Sequence, residues 1–186
     1  FEGDSLVICA DGIDNLISPY ELVTKFRASF LVSGALLARF GYVRISLPGG
    51  CRIGTRPVDL HIKGLCLMGA QSQMGHGFME FRAKRLHGAK IYLDFPSVGA
   101  TENLMTAACL AEGVTEIENA ATEPEVTDLA NFLIKCGAHI DGAGTEHITV
   151  NGVDGLSACE YSIIPDRIEA GTFMVAAACT GGNVSI

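Results

Sequence analysis

A pattern of small, apolar and turn residues occurs twice in this 186-residue chain, with the copies about seventy residues apart. One copy covers residues 99–117 and the other covers residues 170–186, and each contains a run of small residues that ends in a cysteine. An earlier and more divergent copy covers residues 28–45. In each copy the pattern predicts a helix followed by a strand. Because repeated units bury their apolar faces against their neighbours, this pattern constrains the fold more than the composition does.

The residues after each strand also repeat. Residues 56–70 correspond to residues 123–138, and in both segments a proline, Pro57 or Pro124, stands where a helix is predicted to begin and a glycine where it ends. Two short strands of alternating polarity are then predicted in each copy, at residues 78–81, 89–93, 147–150 and 161–164.

Together these elements predict an α/β (α+β) fold of repeated βαβαββ units, with helices buried tightly against sheets. The two units span roughly residues 11–95 and 96–165, residues 1–10 would end an earlier unit, and residues 166–186 would begin a later one. Because the chain does not begin with Met and its end, residues 183–186, falls in a predicted strand, we expect it to be a fragment.

The charge and the cysteines exclude several functional classes. A formal net charge of −8 with scattered basic residues argues against a nucleic-acid or a membrane-binding surface. Seven cysteines without CxxC pairs are typical of a reduced, cytoplasmic protein, and no cysteine–histidine spacing indicates a metal site. No apolar segment is long enough to span a bilayer, and we expect neither a metal nor another cofactor.

One loop differs between the two units. Residues 48–55 of the first unit correspond to residues 120–122 of the second, so the first loop is five residues longer. It contains Cys51 and is followed by Arg56, where the second unit has Glu123. A cysteine near arginines and a helix N-terminus favours the thiolate and attracts anions, so we predict a reactive thiol beside an anion site.

Other residues have a structural explanation at least as good as a functional one. The cysteines at positions 66, 109, 136, 159 and 179 lie in apolar runs and are expected to be small buried side chains. Glu123 and Glu125 are more typical of helix-dipole partners than of an acid–base pair. His61 is expected to be a packed or capping histidine, while Asp59 and Arg27 suit either a surface or a ligand role.

The motifs resemble those of the UDP-N-acetylglucosamine 1-carboxyvinyltransferase family over essentially the whole chain. The matching segments, in order, are Tyr20-Glu21-Leu22-Val23, Arg27-Ala28-Ser29, Leu47-Pro48-Gly49-Gly50-Cys51, Gly54, Arg56-Pro57-Val58-Asp59-Leu60-His61, Ser97-Val98-Gly99-Ala100-Thr101, Glu118-Asn119-Ala120-Ala121, Glu123-Pro124-Glu125 and Pro165-Asp166-Arg167-Ile168-Glu169.

The resemblance implies transfer of enolpyruvyl from phosphoenolpyruvate to the 3'-hydroxyl of UDP-N-acetylglucosamine, with release of phosphate, as the first committed step of peptidoglycan synthesis. It implies that Cys51 is the catalytic proton donor, which can also form an adduct with phosphoenolpyruvate and is the target of fosfomycin. The implied substrate-binding residues are Arg27, Arg56, Pro57, Val58, Asp59, Leu60, Ser97, Val98 and Gly99.

The fold implied by the resemblance is an inside-out α/β barrel, in which two domains of three βαβαββ units pack their helices inside their sheets. Residues 1–165 would form the cysteine-loop domain without its first unit, and residues 166–186 would begin the second domain. The family's Lys-Asn pair, its base aspartate and an arginine of the other domain have no counterpart here, so we expect the fragment alone to be inactive. Asp94-Phe95-Pro96 also stands where some members have a lysine.

Two other functions stay open. A shikimate 3-phosphate enolpyruvyl transferase would share the fold, although that group lacks the Pro-Gly-Gly-Cys loop that ends here at Cys51. A paralogue that binds a nucleotide sugar without catalysis would share the motifs.

Overall fold

The computed structural model describes residues 5–18, 20–23, 27–47 and 57–186. Cys51 and Arg56 lie outside these residues. The helices are α1 (Tyr20–Val23), a 3-10 helix (Arg27–Phe30), α2 (Val32–Phe40), α3 (Asp59–Leu67), α4 (Val98–Ala108), α5 (Pro124–Lys135) and α6 (Arg167–Thr180). The strands are β1 (Tyr42–Ser46), β2 (Gln71–Met74), β3 (Phe78–Arg82), β4 (Lys90–Tyr92), β5 (Val114–Glu118), β6 (His139–Asp141) and β7 (His147–Asn151).

The three strands of the second unit and β4, which precedes that unit in the chain, form a four-stranded sheet in the order β4-β5-β7-β6. β4 pairs with β5 in parallel, and the other two pairings are antiparallel. Ile117 of β5 lies opposite Ile91 on one side and Ile148 on the other, and all three side chains are buried. The alternation of buried and exposed positions turns one face of this sheet towards the helices.

The first unit repeats this arrangement. Its strands pair in the order β1-β3-β2, and Ile17 forms a parallel bridge with Arg44 of β1. The backbone N–H of Ser18 donates to Arg44 O at 2.8 Å, and that of Arg44 donates to Leu16 O at 2.9 Å. Residues 16–18 therefore stand beside β1 as β4 stands beside β5. The βαβαββ repeat predicted from the sequence is confirmed.

Helix α4 forms the centre of the core, with α2, α3 and α5 packed around it. None of its positions is exposed. Glycines allow two of the neighbouring helices to come close. A Cβ on Gly34 of α2 would lie 2.5 Å from the backbone oxygen of Asn103, and a Cβ on Gly64 of α3 would lie 2.4 Å from the Leu104 side chain. Helices α2, α3 and α5 therefore pack closely around α4, and each of these four helices also contacts a strand of one of the sheets.

Three local predictions are wrong. Pro57 precedes the helix, because α3 begins at Asp59 with Val58 as its N-cap. Residues 161–164 are not a strand. The segment that would pair with them, by analogy with β4 and β5, is residues 183–186, which form no strand either. Strands β2 and β6 were not predicted, since β2 (Gln71–Met74) is exposed at every position and β6 has only three residues.

Helix α6 differs from α4, its counterpart in the repeat. It has no buried residue, and its exposed apolar side chains include Ile168, Phe173, Met174 and Val175. Within the described residues, no helix has the length and apolar character needed to cross a membrane.

Candidate functional site

Residues 57–60 lead into α3 and carry four of the predicted substrate-binding residues. Asp59 is exposed in the first turn, whereas Leu60 is buried beneath it. Val58, the N-cap, supplies no side-chain hydrogen bond to the helix. The first backbone N–H groups of α3 are therefore not capped by the side chain of Val58, and the helix dipole favours negative charge at this end.

Residues 97–99 form the corresponding start of α4. Ser97 is the N-cap, and its Oγ accepts a hydrogen bond from the backbone N–H of Ala100 at 3.4 Å. Val98 and Gly99 follow in the first turn, and all three residues are half-buried. This end of α4, like the start of α3, attracts anions through its backbone N–H groups and its dipole.

His61 brings the two helix starts together. It follows Leu60 in α3, its side chain is buried, and its Cε1 and Nε2 atoms lie 3.5 and 3.6 Å from where a Cβ on Gly99 would stand. Any side chain larger than hydrogen at position 99 would be packed directly against the imidazole. The sequence prediction of a packed histidine is confirmed, and its packing partner is the other predicted substrate-binding segment.

A buried hydrogen-bond network fixes the orientation of His61. The Asn103 amide nitrogen lies 3.0 Å from Nδ1 of His61 and donates to Ser33 Oγ at 3.0 Å. Asn103 Oδ1 accepts from the backbone N–H of Gly34 at 2.8 Å. Since an amide nitrogen only donates, Nδ1 of His61 is the acceptor, and the neutral ring carries its proton on Nε2. Sequence reasoning missed Asn103 and Ser33, although a polar residue among the small residues of α4 is a detectable signal.

The segment that begins with Arg27 also contacts His61. Arg27 is the first residue of the 3-10 helix, and Phe30 at its end packs edge-on against the imidazole, with ring centroids 5.1 Å apart. The side chain of Arg27 lies outside what the structure describes. The structure thus joins the segments starting at Arg27, Pro57 and Ser97 through a single histidine.

Lys63 and Asp94 connect the same two helix starts at the surface. The Lys63 ammonium of α3 lies 3.0 Å from both carboxylate oxygens of Asp94, a residue of the turn that precedes Ser97. Both side chains are exposed, so the ion pair contributes little to stability. It places an ammonium from α3 beside the turn that precedes Ser97.

The short loop of the second unit is held by α4. Asn119 adopts a positive φ of 56° and donates from its side-chain amide to Leu93 O at 2.8 Å. The backbone N–H of Ala121 donates to Thr101 Oγ1 at 3.0 Å. These bonds hold the loop of five residues between β5 and α5, whereas twelve residues separate β1 from α3.

Acidic groups gather where α4 meets the start of α5. Burial, reinforced by the carboxylates of Glu125 and Glu123, raises the pKa of Glu102 to about 7. Glu125 lies in the first turn of α5 and forms a two-pronged ion pair with Arg167, with N–O distances of 3.0 and 2.7 Å. That hydrogen bonding lowers the pKa of Glu125. Glu125 is thus both a dipole partner, as expected, and the partner of Arg167.

The described residues hold no group of three or more side chains suited to a metal ion. An open groove of about 570 Å³ lies instead near the C-terminal ends of α2 and α3, and its lining includes Gly41, Gly69, Arg82 and Lys84. It contains none of the predicted site residues. What the two helix starts offer to a ligand is their backbone N–H groups, whose partial positive charge favours an anion.

Comparison with known proteins agrees with this architecture. A model of the family described as EPSP synthase (3-phosphoshikimate 1-carboxyvinyltransferase) matches residues 2–186. UDP-N-acetylglucosamine 1-carboxyvinyltransferase 1 from Caldanaerobacter subterraneus subsp. tengcongensis is 64% identical over 174 residues, which are 94% of this chain and 42% of that protein. UDP-N-acetylglucosamine 1-carboxyvinyltransferase 2 from Carboxydothermus hydrogenoformans is 59% identical over 186 residues, 100% of this chain and 44% of that protein. The chain thus spans less than half the length of these curated relatives.

Solved structures share the fold. The enolpyruvyl transferase NikO from Streptomyces tendae superposes with a TM-score of 0.75 at 24% identity, covering 88% of this chain and 39% of that one. EPSP synthase from Acinetobacter baumannii superposes with a TM-score of 0.64 at 26% identity, covering 83% of this chain and 35% of that one. The α/β fold expected from the sequence is confirmed.

Proposed function

Because the chain belongs to the family described as EPSP synthase (3-phosphoshikimate 1-carboxyvinyltransferase), we propose that it forms part of an enzyme that transfers enolpyruvyl from phosphoenolpyruvate to the 3'-hydroxyl of UDP-N-acetylglucosamine. Phosphate is the second product. The relatives named for this activity are 64% and 59% identical to the chain, whereas the EPSP synthase structure is 26% identical.

The observation that carries the proposal is the meeting of two helix starts at His61. Residues 57–60 and 97–99 each lie at a helix start with backbone N–H groups, and His61 of the first helix packs beside Gly99 of the second. A diphosphate needs several donors at one place. Asp59 and Ser97 add an exposed acceptor and a hydroxyl for the sugar or the base. We assign the nucleotide-sugar site to these two segments.

Cys51, Arg56 and Arg27 complete the proposed site. Cys51 would deliver the proton to phosphoenolpyruvate or form a thioether adduct with it, and the two arginines would hold anionic groups of the substrates. No cofactor takes part in this proposal. We expect fosfomycin to alkylate Cys51. We propose that the reaction takes place in the cytoplasm and is the first committed step of peptidoglycan synthesis, on which cell shape and cell division depend.

We propose that the chain consists of two units of one domain and the beginning of a second domain. Units at roughly 11–95 and 96–165 would belong to the domain with the cysteine loop, and residues 166–186 would begin the second domain. The exposed apolar face of α6 supports this assignment, since α4 at the equivalent position is covered on all sides. The remainder of the same enzyme would cover α6, and no nucleic acid or membrane is expected as a partner.

The test is substrate choice by the complete protein that contains this chain. Phosphate release with phosphoenolpyruvate should require UDP-N-acetylglucosamine and should not occur with shikimate 3-phosphate. Cys51→Ser should abolish fosfomycin labelling, whereas Cys66→Ser, with a half-buried thiol on α3, should leave it unchanged. Two outcomes would contradict the proposal: turnover with shikimate 3-phosphate but not with UDP-N-acetylglucosamine, or fosfomycin labelling that is confined to another cysteine. Substrate binding without turnover would identify the non-catalytic paralogue.

A further inference from the structure

Two cysteines meet at the end of α5, far along the sequence from Cys51. Cys136 is the C-cap of α5 and is buried, whereas Cys159, in the segment after β7, is partly exposed. Their sulfur atoms lie 3.3 Å apart. Among the cysteines that the structure describes, these are the two whose sulfurs contact each other.

Contacts on both sides of Cys159 hold it against α5. The backbone N–H of Ser157 donates to Cys136 O at 2.8 Å. The Tyr161 hydroxyl donates to Asp128 Oδ1 at 2.7 Å, and its ring packs edge-on against Phe132 with centroids 5.6 Å apart. The two anchors lie two residues before and two residues after Cys159, so the approach of the thiols is built into the packing of this segment.

We propose that Cys136 and Cys159 form a dithiol site that reacts with small disulfides of the glutathione class. The Cys159 thiolate attacks one sulfur of the small disulfide, forms a mixed disulfide and releases one small thiol. Cys136 then gives up its proton, and its sulfur attacks that of Cys159 and displaces the second small thiol. The two protein thiols lose two electrons and two protons, which reduce the small disulfide to two thiols.

The surroundings of the two sulfurs set the order of these steps. Burial, followed by the hydrogen bond with Cys159, raises the pKa of Cys136 to about 11, so this thiol is a poor first nucleophile. Cys159 is the more accessible sulfur and meets the oxidant first. Once it carries the mixed disulfide, Cys136 is the nearest thiol, and closing the bond requires the sulfurs to approach from 3.3 Å to about 2.05 Å.

Peptide mapping after oxidation tests the site. The purified protein is incubated with oxidised glutathione, blocked with an alkylating reagent and cleaved after glutamate, which separates the two cysteines because Glu146 lies between them. The expected result is a disulfide-linked pair of peptides containing Cys136 and Cys159. In the uncleaved protein, formation of this disulfide should also raise the midpoint of thermal unfolding, because the bond closes a loop in the unfolded chain. A reductant should reverse the effect.

Single variants separate the two steps. Cys136→Ser should leave a stable glutathione adduct on Cys159, and Cys159→Ser should leave Cys136 reduced. Cys66→Ser is the matched control and should still give the linked peptides. A glutathione adduct that persists on Cys159 of the unaltered protein, or oxidation that leaves both thiols free, would overturn the proposal. The unaltered protein decides the question even where a variant fails to fold, and substrate turnover has no part in the readout.

Discussion

The Asn103 amide nitrogen lies 3.0 Å from Nδ1 of His61, and both side chains are buried between helices. This contact links the start of α3 to the body of α4. Its geometry requires a neutral imidazole with an accepting Nδ1. Stability and substrate binding are therefore expected to depend on the same pair of residues.

Replacing Asn103 should destabilise the protein. Asn103→Ala removes the hydrogen bonds to Ser33 Oγ and to Nδ1 of His61 and opens a cavity, so we expect a loss of about 3 kcal/mol in the free energy of unfolding. Thr106→Ala, on the half-buried side of α4, is the control and should cost less than about 1 kcal/mol. Urea denaturation measures both. An equal loss for the two variants would contradict a special role for the network.

Replacing His61 in the complete protein should weaken nucleotide-sugar binding more than turnover. His61→Ala removes the group that seats Gly99 beside α3, so we expect KM for UDP-N-acetylglucosamine to rise about tenfold, equivalent to about 1.4 kcal/mol. His61→Asn keeps an acceptor near the position of Nδ1 and should recover part of the loss. Steady-state kinetics separates KM from kcat. A fall in kcat with KM unchanged would show that His61 does not act through substrate position.

Enlarging Gly34 should separate α2 from α4. The added methyl group of Gly34→Ala would stand 2.5 Å from the backbone oxygen of Asn103, which cannot move away as a flexible side chain would. We expect a loss of about 2 kcal/mol from overpacking, measured by thermal unfolding. Gly155→Ala is the control, because nothing lies within 4 Å of the point where its added methyl group would stand. Unchanged stability of the Gly34 variant would mean that the helices are less tightly packed than described.

Glu102 should make stability depend on pH. Its pKa in the folded protein, about 7, lies above the ordinary 4.5, so its contribution is fully present below pH 4.5 and is lost as the pH rises through 7. Glu102→Gln should remove this slope and should raise stability at pH 8 by up to about 3 kcal/mol. Denaturant unfolding at several pH values measures the slope. Glu112→Gln, at an exposed position, controls for the loss of one negative charge.

The repeat could be predicted from the sequence because its signals are local. Proline at Pro124, glycine at positions 69 and 137 with φ of 92° and 105°, and the small residues of α4 each determine backbone geometry where they stand. Strand β2 could not be predicted in this way, since an edge strand with every side chain exposed has no alternation of polarity.

The sequence allows the segments of the candidate site to be predicted, but not how these segments are arranged in space. The resemblance predicts residues 57–60 and 97–99 as binding segments, but their contact depends on His61 and Gly99, which are 38 positions apart. Pairing of that kind follows from the packing of α3 on α4. The Cys136–Cys159 contact also depends on packing between distant segments. The sequence does not indicate it, because each cysteine alone is typical of a buried apolar run.

The burial of α4 on all sides also determines which unfolding motions expose its backbone amides to solvent. With α2, α3 and α5 packed around it, solvent reaches its backbone amides only after the surrounding helices separate. In the 186-residue chain itself, the amide hydrogens of α4 should therefore exchange with deuterium more slowly than those of α6, which has no buried residue and needs only local fraying to exchange. The exchange rate of α4 would then report the opening of the whole folded body.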